Sequence, residues 1–307
     1  MTVNRVTVTG VDGFVGRHVA RLAADAGLEV IGVSRSPQLD PELSGVVHRY
    51  LSADLTEEWP ADALGDAVIH LAGLAAVGPS FDAPQEYLSA NSAMVTHLGE
   101  AILREGRAGQ TRILAVSSGS VYGQGLGETP IDESAPVQFT SPYVVSKVLV
   151  ENQLAYYGRR GIATAIARPF NHIGPGQRPG FLVPDLQRAL AAHRPGEPLA
   201  VGNLDTRRDY SDVRDVADAY LRLVTSPEPV TGVFNVCSGR ARSGWEILDA
   251  LCESMGRPRP EVVADPSRFR PTDPQVIVGS ADRLRAETGW APERDAGQSI
   301  RDFVDSL

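Results

Sequence analysis

The first sixteen residues constrain the fold more tightly than any other stretch of the chain. Arg5-Val6-Thr7-Val8-Thr9 is a short β-branched run that leads directly into Gly10-Val11-Asp12-Gly13-Phe14-Val15-Gly16, where an apolar helical pattern opens and continues to about residue 27. A strand, then glycines at positions 10, 13 and 16, then a helix, is the order that a dinucleotide-binding βα unit demands. Such glycines permit a tight turn, close approach of the backbone to a pyrophosphate, and close packing of helix on strand. The helix N-terminus offers that phosphate free N–H groups and a positive dipole end.

The pattern downstream agrees. Strand-like segments at 29–33, 46–50, 67–71, 112–116 and 162–167 alternate with helical stretches at about 81–105 and 142–160. Alternation of this kind predicts an α/β fold, a Rossmann-type doubly wound parallel sheet with helices on both faces. After Pro169 the texture changes. Residues 171–180 are rich in glycine and proline and read as a loop, and further arginine-bearing loops are expected at 207–210 and 268–273. A helix is expected at 212–224 with Asp212 as its N-cap, a strand at 234–236 returning to the sheet, and helices at 245–255, 282–288 and 299–304. The expected division is a cofactor domain over 1–168 and about 206–238, and a smaller C-terminal substrate-binding lobe over about 169–205 and 239–307.

The second strand ends in Ser34-Arg35-Ser36. An acidic residue there would grip the ribose 2′-hydroxyl of NAD, whereas a serine and an arginine suit a 2′-phosphate, so NADP(H) is expected and NAD is the second choice. Tyr143 and Lys147 stand four residues apart on one helical face. A phenol is a weak acid at neutral pH, and a nearby ammonium stabilises its anion. Ser117-Ser118 closes the strand at 112–116, where a serine could hydrogen-bond a substrate oxygen beside that phenol. The layout suits proton exchange with a carbonyl or alcohol, once a hydride carrier is bound.

Composition narrows the partners. The net charge of −9 argues against nucleic acid and gives no basic patch for a membrane surface. No apolar run reaches transmembrane length and the N-terminus enters the first strand at once, so a cytoplasmic protein is expected. Cys237 and Cys252 read as buried reduced thiols, no Cys/His spacing suggests a metal, and Asp212, Asp215 and Asp218 read as a cap and a solvated helix face. His70 reads as the packed end of a buried strand, His172 as either a ligand contact or a structural hydrogen-bonder, and Asn91 as a packing amide or a water-mediated partner of the lysine.

Taken together, the glycine triad, Asp54, His70-Leu71-Ala72, Ser118 and Tyr143/Lys147 resemble the nucleotide-sugar branch of the extended short-chain dehydrogenase/reductases. Ala167-Arg168-Pro169-Phe170-Asn171-His172-Ile173-Gly174-Pro175-Gly176-Gln177, then Gly202-Asn203-Leu204-Asp205-Thr206-Arg207-Arg208-Asp209, Val236-Cys237-Ser238-Gly239 and Arg270-Pro271-Thr272-Asp273, resemble the GDP-mannose dehydratase and GDP-4-keto-6-deoxymannose reductase group, the reductases most. The resemblance implies a catalytic set of Ser118, Tyr143 and Lys147. It implies cofactor contacts from Gly10, Gly13, Phe14, Val15, Gly16, Ser34, Arg35, Asp54, Leu55, Leu71, Ala72 and Gly73, with Tyr143 and Lys147 also touching the nicotinamide half. Asn171, Val183, Asn203, Arg208, Arg270 and Asp273 would join Ser118 in holding a nucleotide-diphosphate sugar. A homodimer through the two long helices is a further implication.

One departure bears on the chemistry. Dehydratases of this group carry acid/base side chains at the two positions after the catalytic Ser/Thr, and here those are Gly119 and Ser120. Elimination therefore lacks its acid/base pair. The expected activity is NADPH-dependent reduction of the C4 ketone of a nucleotide-activated 4-keto-6-deoxyhexose, with GDP-4-keto-6-deoxymannose to GDP-rhamnose favoured and a dTDP sugar as the other base. Two alternatives share the residues: an NAD-dependent nucleotide-sugar 4-epimerase, and a non-catalytic NADP-binding redox sensor.

Overall fold

The structure is a computed structural model, and it describes residues 2–123, 127–266 and 274–307. The chain opens with β1 (Arg5–Thr9), α1 (Phe14–Asp25), β2 (Glu29–Ser34), β3 (Arg49–Ser52) and β4 (Ala67–His70). A short α2 (Val77–Ser80) and the long α3 (Pro84–Arg104) precede β5 (Arg112–Val116), α4 (Pro142–Arg159) and β6 (Ala163–Pro169). There follow β7 (Asn171–Ile173), α5 (Leu182–Ala192), β8 (Leu199–Val201), β9 (Arg207–Asp212), α6 (Val213–Thr225) and β10 (Gly232–Val236). The chain closes with β11 (Ala241–Ser243), α7 (Gly244–Ser254), β12 (Val262–Ala264), β13 (Val276–Ile277), α8 (Asp282–Thr288) and α9 (Ala296–Asp305).

Seven strands form one wholly parallel sheet in the order β10-β6-β5-β4-β1-β2-β3. Its central strands are buried along nearly their whole length, as a sheet covered on both faces requires. The two-residue period of a strand sorts their side chains. Ala67, Ile69, Leu114, Ala165 and Ala167 enter the core that includes α1 and α6, while Val68, Ile113, Ala115 and Ile166 meet Leu98, Ile102 and Leu154 of α3 and α4. A third core gathers Ile173, Val183, Leu186 and Leu190 with Leu248, Leu251, Ile300 and Phe303, so it draws on two separated parts of the chain.

Two segments expected as loops are strands. Asn171–Ile173 and Arg207–Asp212 pair in parallel with each other, and β9 also carries β11 and β13. Glycine and proline crowd residues 174–180, just after β7, and masked a strand of only three residues. Helix α5 was hidden by Pro184, which sits in the first turn, where a missing N–H costs nothing. The N-cap at Asp212 is as expected, and α7 begins with a reciprocal capping box between Ser243 and Glu246. Cys237 and Cys252 are buried free thiols. Among the described residues no helix is long and apolar enough to cross a membrane, and no acidic, histidine or cysteine cluster could hold a metal ion.

Candidate active site

The glycine loop between β1 and α1 is dictated by close contacts. Gly10 has φ +65°, and a Cβ on Gly16 would stand 2.1 Å from the Gly10 carbonyl oxygen, so only glycine lets α1 close onto the loop. Gly13 caps α1 with no side-chain partner for the first-turn N–H groups, where Phe14 and Val15 lie half-buried. Across the sheet, Thr9 Oγ1 accepts the N–H groups of Leu71 and Ala72 at 3.1 and 3.0 Å, which draws the end of β4 up against the loop. Ser34, Arg35, Asp54, Leu55, Ala72 and Gly73 line one pocket of about 150 Å³ with Met94 at its back. Arg35 is exposed and has no hydrogen-bond or ion-pair partner among the described residues. The Thr56 hydroxyl and N–H hold the Asp54 carboxylate and lower its pKa, with burial opposing and the Arg35 charge assisting.

Gly73, on the rim of that pocket, also borders α4 at Lys147. Tyr143 and Lys147 are both buried there, 6% and 8% exposed. Lys147 Nζ donates to the Val116 carbonyl at 2.9 Å and stands 5.8 Å from the centre of the Tyr143 ring. A Cβ on Gly73 would come 3.7 Å from that Nζ, so the glycine keeps the space beside the ammonium open. Burial lowers the Lys147 pKa to about 8, against the Glu151 charge that raises it. Burial raises the Tyr143 pKa, and a hydrogen bond with the Ser118 side chain opposes that. The lysine thus faces the phenol across its ring, and Ser118 is the group whose hydrogen bond draws the phenol's pKa down. Ser118 also caps the short turn Gly119–Tyr122, accepting the Ser120 N–H at 3.1 Å.

Asn91 resolves to a clamp. Its Oδ1 accepts the Leu74 N–H at 2.8 Å while its Nδ2 donates to Ser146 Oγ at 2.9 Å, tying the segment after β4 to α4. His70 is buried at the end of β4 with Nδ1 2.9 Å from Thr9 Oγ1, and burial lowers its pKa to about 3. His172 stacks on Phe14 at 5.8 Å and meets the Phe170 carbonyl at 3.1 Å, and so links the glycine loop to the segment after β6.

The residues expected to hold substrate are spread more widely. Asn171 is exposed on β7, opposite Tyr210. Asn203 turns its Oδ1 onto the Asp205 N–H at 2.9 Å, and Arg208 sits half-buried on β9 with Nη1 on the Arg207 carbonyl at 2.8 Å. Arg207 is engaged by Glu128 at 2.6 Å. Val183 is 1% exposed and belongs to the third core, which makes it support beneath that surface. Arg270 and Asp273 lie outside the described residues.

Several determinants went unread in the sequence. Glu151 grips Arg168 through two bonds of 2.9 and 2.6 Å, Arg168 donates to Tyr122 Oη at 2.9 Å, and Tyr122 donates to Asn235 at 2.7 Å, all buried. The signal was present: Glu151 stands four residues past Lys147 on the same face of an otherwise apolar helix turn. Asp215, expected on a solvated face, is buried and holds the Arg294 guanidinium at 2.6 Å, because α6 packs inward against the C-terminal segment. Asp209, fully buried on β9, accepts from Ser238 N–H and Oγ, Gly239 N–H and Gly279 N–H. A Cβ on Gly119 would meet the Phe170 ring at 3.0 to 3.2 Å, so Phe170 fills the room beside Ser118.

The chain is similar to known proteins in both sequence and fold. Residues 6–237 match the model of the NAD dependent epimerase/dehydratase family. The chain belongs to this family. Over 305 residues it is 38% identical to GDP-6-deoxy-D-mannose reductase of Pseudomonas aeruginosa, covering 97% of this chain and 95% of that one. It is 33% identical to a UDP-glucose 4-epimerase of Azospirillum brasilense, over 95% of this chain and 88% of the relative. Among solved structures it is similar to RMD from Pseudomonas aeruginosa complexed with NADPH, with a TM-score of 0.82, 34% identity, and coverage of 99% of this chain and 97% of that one.

Proposed function

We propose that this family member is an NADPH-dependent reductase of the C4 ketone of a nucleotide-activated 4-keto-6-deoxyhexose, with GDP-4-keto-6-deoxymannose to GDP-rhamnose as the favoured reaction. The observation that carries the reading is a complete Ser118–Tyr143–Lys147 set beside a Gly119 position closed by Phe170. Ketone reduction needs one proton donor and no second acid/base pair, which is what this site offers. The similarity to a GDP-6-deoxy-D-mannose reductase over nearly the whole chain supports the sugar class.

The residues present fit a nicotinamide dinucleotide. The glycine cradle admits a pyrophosphate because no Cβ projects from it, the pocket at Ser34, Arg35, Asp54 and Leu55 suits adenosine, and Gly73 leaves room beside Lys147. Bound there, the dinucleotide would supply the hydride. Ser118 would hydrogen-bond the carbonyl oxygen while the Tyr143 hydroxyl, kept protonated by burial, gives its proton to that oxygen as negative charge develops. Lys147 would stabilise the phenolate left behind and hold the nicotinamide ribose. Arg208, and Arg270 beyond the described residues, would anchor the diphosphate and so fix the sugar's approach.

An NADPH-oxidation assay with GDP- and dTDP-4-keto-6-deoxyhexoses, with the product's C4 configuration read by NMR, tests the reading. Turnover of the GDP sugar with one NADPH consumed per product supports it. Protein that carries tightly bound NAD and interconverts UDP-hexoses without net cofactor consumption would replace it with the epimerase reading, which the 33% identical relative favours. A homodimer forms part of the same proposal: Val145, Leu149 and Tyr156 are exposed along α4, and sedimentation of the native and Leu149→Glu proteins tests whether that face is covered.

A further inference from the structure

The exit of β2 carries a polar cluster that ketone reduction leaves unused. Asp12, at the crown of the glycine loop, accepts a hydrogen bond from the Ser36 hydroxyl. The Ser36 N–H donates to Ser34 Oγ at 3.2 Å, Ser34 Oγ meets Tyr50 Oη at 2.8 Å, and Tyr50 Oη donates to the Ser36 carbonyl. Ser36 is therefore held on three sides, and through it the Asp12 carboxylate is held one residue past Arg35.

Asp12 makes no ion pair among the described residues. The Arg17 guanidinium reaches only its main-chain carbonyl, at 3.2 Å, and pairs instead with Asp40 at 3.1 Å and Glu42 at 3.2 Å. Two unpaired groups of opposite charge, Asp12 and Arg35, thus border the end of β2. In a dinucleotide-binding βα unit that is where the adenosine ribose presents its 2′ substituent. A 2′-phosphate is drawn to a guanidinium and repelled by a carboxylate, whereas a free 2′-hydroxyl can donate to the carboxylate and gains nothing from the arginine. The glycine loop thus brings a carboxylate to the end of β2, where an NAD site usually carries an acid of the strand's own.

We propose that Asp12 is a cofactor-discriminating residue: Arg35 favours NADP(H), Asp12 favours NAD(H), and their opposition makes the chain accept both. The proposal rests on the dinucleotide-binding reading above. Its test is binding of NADPH and NADH, without sugar, followed by nicotinamide fluorescence in the wild type, Asp12→Asn and Arg35→Ala. Asparagine keeps an oxygen for the Ser36 hydroxyl, so the loop is preserved while the charge is removed.

The wild type should bind the two nucleotides within about a hundredfold of each other. In Asp12→Asn the preference should shift about tenfold toward NADPH, and in Arg35→Ala toward NADH. An unchanged or reversed ratio in Asp12→Asn overturns the proposal alone, as does a wild-type preference beyond about a hundredfold. Failure of the wild type to bind either nucleotide would overturn the oxidoreductase reading and this proposal with it.

Discussion

At the scale of single residues the decisive asymmetry is between Tyr143 and Lys147. Burial acts on both in favour of the neutral form, raising one pKa and lowering the other. A phenol that stays protonated is a proton donor in waiting. Tyr143→Phe should lower the rate of ketone reduction by about 10²- to 10⁴-fold while NADPH affinity stays within a few-fold of wild type, as single-turnover kinetics and fluorescence titration would report. The lysine makes pH a second probe. With its pKa near 8, the ammonium is lost as pH rises through that value, so kcat/KM for reduction should fall with a limb at about 8. Stability should move the other way. The folded state holds fewer protons on Lys147 than the unfolded state between about 8 and 10.5, so this group's contribution to stability improves as pH rises across that window. Opposite slopes for activity and melting temperature there would identify the lysine. That these two side chains lie together was legible in the sequence, because a four-residue spacing on a helix puts them on one face. Asp12 and Phe170 were not, since what they touch comes from elements elsewhere in the chain.

Helix α4 organises the site as an element. It presents Tyr143, Lys147 and Glu151 at successive turns, so one face carries the phenol, the ammonium and the carboxylate that anchors Arg168. Glu151 raises the Lys147 pKa, and Glu151→Gln should move the falling limb of the pH profile below its wild-type position. An unmoved limb would mean that the buried pair acts only in packing. The neighbouring helix sets the position of α4. A Cβ on Gly99 of α3 would stand 2.4 Å from the Tyr157 ring, and that ring is pinned by its hydroxyl to Glu100 at 3.2 Å. Gly99→Ala should therefore destabilise the fold by about 1–3 kcal/mol in urea titrations, overriding the better helix propensity of alanine. Long periodic elements such as α1, α3 and α4 were visible from their apolar spacing to within a few residues at each end. Short strands such as β7 and β9 were not: β7 is three residues beside a run of glycines and prolines, and β9 is six residues, five of them charged or hydroxyl-bearing side chains around one tyrosine, with no apolar period to detect.

For the whole molecule, the joint between the large sheet and the small one rests on Asp209. Its carboxylate gathers four donors from the segment after β10 and from Gly279, so Asp209→Asn would turn an amide N–H₂ toward N–H groups. A loss of about 1–3 kcal/mol is expected, seen as a fall of several degrees in melting temperature, with substrate affinity affected more than cofactor affinity. No sequence pattern pointed to this joint, because Asp209 sits beside two arginines that suggest a ligand contact. The topology of the large sheet has a further consequence, for synthesis. Strand β10 completes the sheet against β6, yet more than sixty residues separate them, and β7, α5, β8, β9 and α6 all intervene. While the ribosome makes that stretch, β6 presents a bare apolar edge with no partner for its N–H and C=O groups. The nascent chain is therefore most vulnerable to misassociation late in translation, after α4 has emerged and before residue 232 has. Slowing elongation across that interval should lengthen the exposure and raise the demand for ribosome-bound chaperones.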